Sequence, residues 1–168
     1  MKRLTVYLHD NPVGTLMQTD GGTLEFRYVD EWLSRRDAVP LSRSLPLSGE
    51  TYRANKARPF FAGILPDEGP RGQIASVLGI SERNDFALLE RIGGECAGAV
   101  ALLPEDVHAQ TATESVIREL DEAELAVIVS ELPSRPLLAG SAGVRLSLAG
   151  SQGKLPVLLR GTTVALPL

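Results

Sequence analysis

The chain opens with an alternation of apolar and polar residues that is typical of β-strands half buried against a core. Residues 4–9 and 14–18 alternate in this way, and the Asn-Pro pair at 11–12 is a turn signal between them. The glycines at 21–22 tolerate the positive φ angles of a tight hairpin, and a third alternating run follows at 24–28. The pattern therefore predicts a three-stranded antiparallel meander.

After the meander the apolar residues change to helical spacing, with one interruption. Prolines at 40 and 46 are incompatible with a regular helix or a central strand, so residues 40–48 are predicted to form an extended, ordered connector. Four helices are predicted around it: a short one capped by Asp30, one with Pro59 in its first turn that ends before Pro66, one over 70–78 ended by Gly79, and one capped by Asn84 and Asp85.

The second half of the chain combines a polar stretch with further strand and helix signals. Residues 97–103 are small and β-branched, as in a buried strand, whereas residues 106–115 are polar without a period, as in a linker. Asp121 and Glu124 have the spacing of a capping box before an apolar helix. Further strands are predicted from three apolar runs, at 144–148, 155–159 and 163–166.

These elements predict an α+β fold in two parts. Residues 1–105 are predicted to form an N-terminal subdomain, in which packed helices accompany the antiparallel meander. Residues 106–168 are predicted to contain the linker, a helix and a strand hairpin.

The composition is that of a folded protein without an excess of positive charge. Hydrophobic residues make up 43% and charged residues 23% of the 168 residues, close to ordinary globular averages. The 17 Lys and Arg residues against 21 Asp and Glu residues give a formal charge of -4. A free-standing nucleic-acid binder needs a concentrated positive surface, so any contact with DNA is expected to be indirect.

Cysteine and histidine usage argues against a disulfide or a metal site. Cys96 is the single cysteine, and only His9 and His108 could assist it as metal ligands. No apolar run reaches the length of a membrane span, and the N-terminal residues lack the pattern of a secretion signal. We therefore expect a cytoplasmic protein.

One basic cluster is predicted to be solvated surface rather than a binding patch: Arg35, Arg36 and Arg43.

A glycine-containing connection at residues 149–154 is the candidate for chemistry. Gly150 and Gly153 lie between two predicted strands, where glycine lets backbone N–H groups approach a phosphate, and Lys154 adds a positive charge. The spacing differs from that of P-loop proteins, and a plain hairpin turn has the same residue types. A kinase-type glycine loop, however, requires this strand-loop-strand setting. The residues alone leave both interpretations open.

Three stretches of the chain occur together, in the same order, in one known family. They are LPLSGETYRANKARPFFAGILPDEG, DFALLERIGGECAGAVALLPED and SLAGSQGKLPVLL. They resemble segments of the HipA-type toxin serine/threonine kinases, in which the last one opens the kinase part. The resemblance covers essentially the whole chain. It implies the N-terminal region of such a kinase, ending in the first strands of a kinase-like N-lobe.

The resemblance also implies roles for individual residues. Ser147 matches the serine that these kinases autophosphorylate, and a phosphate there would repel nucleotide from the adjacent loop. Gly153 departs from the family, in which a polar or charged residue is usual. The nucleotide loop, which would hold the phosphates of ATP with Mg²⁺, falls on six residues: Ala149, Gly150, Ser151, Gln152, Gly153 and Lys154.

The groups that complete a kinase active site are not matched by this chain. The family places the catalytic aspartate, the magnesium ligands and the lysine for the α and β phosphates further along the polypeptide. We therefore expect the 168-residue chain by itself to be inactive. The resemblance further implies a HipB-like antitoxin partner, DNA contact only through that partner, a role in persistence, and a protein substrate such as an aminoacyl-tRNA synthetase.

Two other interpretations are compatible with the residues. One is a small, non-enzymatic subunit of a split system, which binds and regulates a separate kinase or a HipB-like antitoxin. The other is an α+β scaffold without a nucleotide role.

Overall fold

A computed structural model of the chain describes residues 1–95, 99–105, 117–131 and 157–167. Within these residues antiparallel sheets combine with helices, which confirms the predicted α+β fold. The chain divides into two compact units, residues 1–65 with 85–111 and residues 66–84 with 112–168. The predicted boundary after residue 105 stays a prediction, because the residues that follow it lie outside the described ranges.

The bounds of the described elements are as follows. The strands are β1 (Lys2–Leu8), β2 (Asn11–Gln18), β3 (Leu24–Tyr28), β4 (Val100–Pro104), β5 (Ile117–Leu120), β6 (Leu158–Arg160) and β7 (Thr163–Pro167). The helices are α1 (Asp30–Leu33), α2 (Ala54–Gly63), α3 (Glu68–Leu78), α4 (Asp85–Ile92) and α5 (Glu122–Glu131), with a 3-10 turn at Gly93–Glu95.

A four-stranded antiparallel sheet in the order β3-β2-β1-β4 forms the centre of the first unit. Val6 of β1 pairs with Gly14 and Tyr7 pairs with Pro12, so Val13 is an extra residue of β2 at a β-bulge. This bulge explains why the neighbours Val13 and Gly14 are both buried, although strict alternation would expose one of them.

Aromatic rings pack between β3 and α2. Phe26 is completely buried, and its ring centre lies 4.8 Å from that of Tyr28 and 5.3 Å from that of Phe61. The backbone N–H of Phe26 donates to Tyr52 at 2.8 Å, and the N–H of Tyr52 donates back at 2.7 Å, which attaches residue 52 to the edge of β3. Because aromatic side chains bury the largest apolar areas, Phe26 is the centre of this core.

The meander is confirmed, but its first turn lies earlier than predicted. β1 and β2 are joined by His9 and Asp10, with His9 at a φ of 52°, whereas the turn was predicted at 11–12. Pro12 lies inside β2, beside the β-bulge, where a residue without a backbone N–H is tolerated.

The connector and the helices around it are present as predicted, but some helix boundaries differ from the prediction. α2 starts at Ala54, so Pro59 is its sixth residue rather than part of its first turn. Proline cannot donate to the carbonyl of Asn55, and α2 still buries Phe61 because tertiary packing outweighs one lost hydrogen bond. Asp30 is the first residue of α1, and Val29 precedes it as the cap.

The second unit contains α3, α5 and the sheet β5-β7-β6. Gly79 ends α3 at a φ of 65°, as predicted, and the next N–H, that of Ile80, donates to Ala75 at 2.9 Å. β7 confirms the strand predicted at 163–166, whereas β5 was not predicted. The predicted strand at 144–148 lies outside the described residues.

Candidate functional site

The predicted nucleotide loop, 149–154, and Ser147 lie outside the described residues. The described chain resumes at Val157, directly before β6. The described elements nearest to the loop in sequence are the helix α5 before it and the strands β6 and β7 after it, all of which belong to the second unit.

β6 and β7 form the hairpin that follows the predicted loop. Arg160 pairs with Thr163, and Gly161 in the turn has a φ of 62°, a conformation that favours glycine. β7 also pairs with β5, so it is the central strand and buries Ala165 and Leu166. β6 is the first described strand after the predicted loop in the sequence.

β6 leaves apolar side chains on both of its faces open to solvent. Leu158 is 41% and Leu159 is 71% exposed, and successive residues of a strand point to opposite faces of the sheet. Among the described strands, β6 pairs with β7 along one side. Within the described residues β6 is thus an edge strand of this sheet.

α5 begins with the predicted capping box. The N–H of Glu124 donates to Asp121 Oδ1 at 2.7 Å, and the N–H of Asp121 donates to Glu124 Oε2 at 3.2 Å. The guanidinium of Arg118, on β5, donates to the other carboxylate oxygen of Glu124. The box thus fixes the start of α5 and ties it to the preceding strand.

An open apolar groove of about 380 Å³ lies along α5. We call it the α5 groove, and its lining residues are Arg118, Ala123, Glu124, Val127 and Ile128. None of the ten residues of α5 is buried, although the helix is rich in apolar side chains. The sequence predicted this helix from its cap, but gave no sign that its apolar face would be open.

In the first unit, three aromatic side chains hold the connector through their polar ends. We call these residues, Tyr28, Trp32 and Tyr52, the aromatic clasp. Trp32 Nε1 donates to the carbonyl of Val39 at 3.1 Å, and the Tyr52 hydroxyl donates to the carbonyl of Pro46. The prolines of the connector predicted its order, but no pattern in the sequence identified the side chains that provide it.

The Tyr28 hydroxyl makes two of the contacts of the aromatic clasp. It donates to the carbonyl of Leu45 at 2.6 Å and accepts from the N–H of Leu41 at 2.8 Å. Burial raises the pKa of Tyr28 above its usual value, while the bond from Leu41 opposes that shift. The phenol is therefore neutral at physiological pH and can donate to Leu45.

Tyr28→Phe is expected to lower the free energy of unfolding by about 1–3 kcal/mol, because it leaves the buried carbonyl of Leu45 and the half-buried N–H of Leu41 without this partner. Urea unfolding measures the change. Tyr7→Phe is the matched control: Tyr7 is also buried, but its hydroxyl has no partner among the described residues. Equal stability of the two variants would contradict this role of the clasp.

Arg35 is engaged in contacts on the surface of the first unit. Its guanidinium donates to Asn11 Oδ1 at 2.7 Å and to both carboxylate oxygens of Asp37, and it lies 4.9 Å from the ring centre of Trp32. Arg35 lowers the pKa of Asp37 below its usual range. The exposed ion pair agrees with the prediction of a solvated basic surface.

Asp85 is a buried carboxylate in the first unit. It is 5% exposed and accepts from Arg58 Nε at 2.7 Å, which joins the start of α4 to α2.

Within the described ranges, no group of three or more Asp, Glu, His or Cys side chains could hold a metal ion. No helix in these same ranges has the length and apolar character needed to cross a bilayer.

Known proteins match this chain over nearly all of its length. The family model of the HipA N-terminal domain matches residues 4–103. Y4mE of Sinorhizobium fredii, named as a candidate kinase, is 45% identical over 167 residues, which is 98% of this chain and 40% of Y4mE. The serine/threonine-protein kinase toxin HipA of Shewanella oneidensis is 29% identical over the same share of this chain and 37% of its own length.

A solved structure agrees with these matches. It is the complex of HipA, HipB and operator DNA from Shewanella oneidensis, in which a chain 30% identical to this one superposes with a TM-score of 0.69. The superposition covers 96% of this chain and 37% of the solved chain. The present chain thus spans about 40% of the length of the relatives that it matches.

Proposed function

Because the chain belongs to the family of HipA N-terminal domains, we propose that it forms the N-terminal part of a HipA-like serine/threonine protein kinase, the toxin of a type II toxin–antitoxin system. The observation that carries the proposal is the match of 98% of the chain to longer proteins that are named as kinases. In this proposal the chain supplies the phosphate loop for ATP and a surface for partners.

The proposed phosphate loop is formed by residues 149–154. The strand β6, which follows these residues in the sequence, supports this assignment, because a strand follows the glycine loop of a kinase. Backbone N–H groups around Gly150 and the ammonium group of Lys154 bind the ATP phosphates in this proposal. Mg²⁺, which neutralises the charge that develops on those phosphates, is held by groups outside this chain.

Ser147 is the proposed regulatory residue. It precedes the loop by two positions, so a dianionic phosphate on its hydroxyl opposes the binding of the ATP phosphates. Ser147→Ala in a complete kinase removes this inhibition and leaves ATP binding intact.

We propose a HipB-like antitoxin as the partner, because the solved relative is a complex of HipA with HipB and operator DNA. The formal charge of -4 favours indirect contact with DNA, through the antitoxin. The substrate is proposed to be a cytoplasmic protein with a target serine; an aminoacyl-tRNA synthetase is the example that the family resemblance offers.

The alternative function is that of the small, non-enzymatic subunit of a split system, which regulates a kinase core on another polypeptide. The two functions differ in whether the kinase core must be covalently attached.

The isolated chain is expected to transfer no phosphate from radiolabelled ATP, because kinase catalysis depends on positioned magnesium ions and a catalytic aspartate. A chimaera in which the chain replaces the matching region of Y4mE is expected to transfer label. Activity of the isolated chain that depends on its own residues would contradict the proposal. Activity from the separate chain plus the remainder of Y4mE, with none from the chimaera, would favour the split system.

A further inference from the structure

Residues 35–56 of the first unit carry a positive charge that the rest of the chain does not share. They contain five Lys or Arg residues and two Asp or Glu residues, a formal charge of +3, whereas the other residues contain 12 against 19, a formal charge of -7. Asp37 is already paired with Arg35 at 2.7 Å. Arg36 and Arg43 are exposed and have no ion-pair partner among the described residues. Free cations concentrated in one segment of an acidic chain indicate a surface for a negatively charged partner.

Arg43 lies in a tight turn that the aromatic clasp fixes. The N–H of Leu45 donates to the carbonyl of Ser42 at 3.0 Å, which closes the turn. The Tyr28 hydroxyl binds the backbone on both sides of Arg43, at Leu41 and at Leu45. Because this backbone is already ordered, a partner can bind the Arg43 guanidinium with little further loss of entropy.

Two further cations lie beside the same aromatic rings. Lys56 Nζ lies 5.9 Å from the ring centre of Tyr52, whose ring centre is 6.3 Å from that of Tyr28. Arg53, which follows Tyr52 directly, is exposed and has no ion-pair partner in the part of the chain that the structure describes. The turn at Arg43 and the start of α2 therefore surround one pair of rings. We call the exposed side chains of this segment the connector surface.

The connector surface also contains apolar side chains. Val39 is 49% and Leu47 is 37% exposed, one near each end of the connector. Trp32 binds the carbonyl of Val39, and Tyr52 binds the carbonyl of Pro46 beside Leu47, so the backbone is held while both side chains stay open. Cations next to exposed apolar groups fit an acidic protein segment that carries apolar residues as well.

Two other classes of partner fit this surface less well. Single-stranded nucleic acid needs aromatic faces on which its bases stack, but Tyr28, Trp32 and Tyr52 are all buried. Duplex phosphates offer nothing to the apolar side chains of Val39 and Leu47. A protein that binds operator DNA needs its own excess of Lys and Arg, which a basic surface repels.

We propose that the connector surface recruits the protein target of the kinase through an acidic segment that contains apolar residues. The inference rests on the proposed function, which it deepens by naming the chemistry by which the target is recognised. It also gives a role to the exposed cluster of Arg35, Arg36 and Arg43. Recruitment needs no ATP, so the contact can be measured on the chain by itself.

Fluorescence anisotropy with a labelled peptide tests the charge of the partner. The probe is a peptide in which glutamates surround a leucine and a valine, and its counterpart has glutamine in place of every glutamate. At low ionic strength the chain is expected to bind the glutamate peptide at least about tenfold more tightly. Arg43→Gln is expected to weaken this binding about threefold, as for an exposed charge pair, and Arg43→Lys to retain it. Arg91→Gln, which removes the same charge from an exposed position on α4, should change it by less than about 1.5-fold.

A matched pair of valines tests the apolar part of the contact. Val39 and Val77 are 49% and 47% exposed, but Val77 lies on α3 and only Val39 belongs to the connector surface. Val39→Ser is expected to weaken binding of the glutamate peptide about threefold, and Val77→Ser by less than about 1.5-fold.

The role in recruitment is tested with the Y4mE chimaera. A serine-containing substrate peptide extended by the glutamate segment is expected to have a KM about threefold lower than one extended by the glutamine segment, with kcat unchanged. Arg43→Gln should remove this difference. An equal KM for the two substrates would overturn recruitment of the target.

Four binding results would also overturn the proposal. They are equal affinity for the two peptides, equal losses in the Arg43→Gln and Arg91→Gln variants, tighter binding of a DNA duplex of the same charge than of the glutamate peptide, and self-association of the chain that Arg43→Gln abolishes, which would indicate a second copy. Anisotropy requires neither ATP nor turnover. Bound peptide together with an inactive chimaera would therefore contradict the kinase function alone, and an active chimaera without peptide binding would contradict recruitment alone.

Discussion

Gly14→Ala is expected to lower the free energy of unfolding by about 3 kcal/mol, the upper part of the range for overpacked cores. A Cβ at position 14 would lie 2.6 Å from Phe26 Cζ and 2.6 Å from the carbonyl oxygen of Arg27. The ring cannot move freely, because it packs against Tyr28 and Phe61. The carbonyl belongs to the backbone of β3, so relief requires displacing a paired strand.

Thermal and urea unfolding measure this loss, with a drop in Tm of roughly 10 °C for a domain of this size. Gly63→Ala is the matched control, because a Cβ on this last residue of α2 meets nothing within 4 Å. This control should be neutral or slightly stabilising. Gly14→Ala combined with Phe26→Leu should recover part of the loss. Equal stability of the Gly14 and Gly63 variants would show that the ring yields at little cost.

Gly150→Val and Lys154→Ala are each expected to reduce phosphotransfer by the Y4mE chimaera by roughly 100-fold or more, as for other losses of charge stabilisation in a transition state. The valine at position 150 places a side chain where a phosphate must approach the backbone. The alanine at position 154 removes the ammonium group that attracts the phosphates. Calorimetric titration with ATP and a radiolabel assay measure binding and transfer separately.

Gly153→Gln is the control for the proposed phosphate loop, because the family resemblance implies a polar or charged residue at that position. It is expected to retain transfer within a few-fold of the parent, and a stiffer backbone at 153 favours the bound loop. Undiminished ATP affinity in both the Gly150 and the Lys154 variants would show that residues 149–154 only connect two strands.

The sequence predicted most elements correctly where local signals decide the structure. The meander follows from the alternation of apolar and polar residues, α3 ends at the predicted glycine, and the capping box of α5 forms with the predicted partners. These signals lie within a few residues of the feature that they determine, so a single sequence is enough to detect them.

The wrong predictions arise where contacts between residues far apart in the sequence determine the structure. Pro12 suggested a turn, but the β-bulge opposite Val6 and Tyr7 provides a place for it inside β2. Pro59 suggested a helix start, but packing of Phe61 on the aromatic core carries α2 through the proline. The contacts of the aromatic clasp join residues up to 17 positions apart, so no local pattern predicts them.

The same distinction applies to the candidate site. Residues 149–154 could be predicted from the sequence as a phosphate loop, because glycine and lysine have the chemistry that phosphate binding requires. The α5 groove could not be predicted from the sequence. The apolar run of α5 looks like an ordinary buried helix face, and only its exposure in the folded unit distinguishes it.

The order β3-β2-β1-β4 also constrains how the protein is made. The meander pairs neighbours in sequence and can form as soon as residue 28 has left the ribosome, but the other edge of β1 pairs with residues 100–104. Until β4 emerges, β1 has an unpaired edge that is open to other nascent chains. At about 5–20 residues per second, this interval lasts roughly 4–15 seconds. Chaperones that bind nascent apolar strands are therefore expected to engage the chain before the first unit closes.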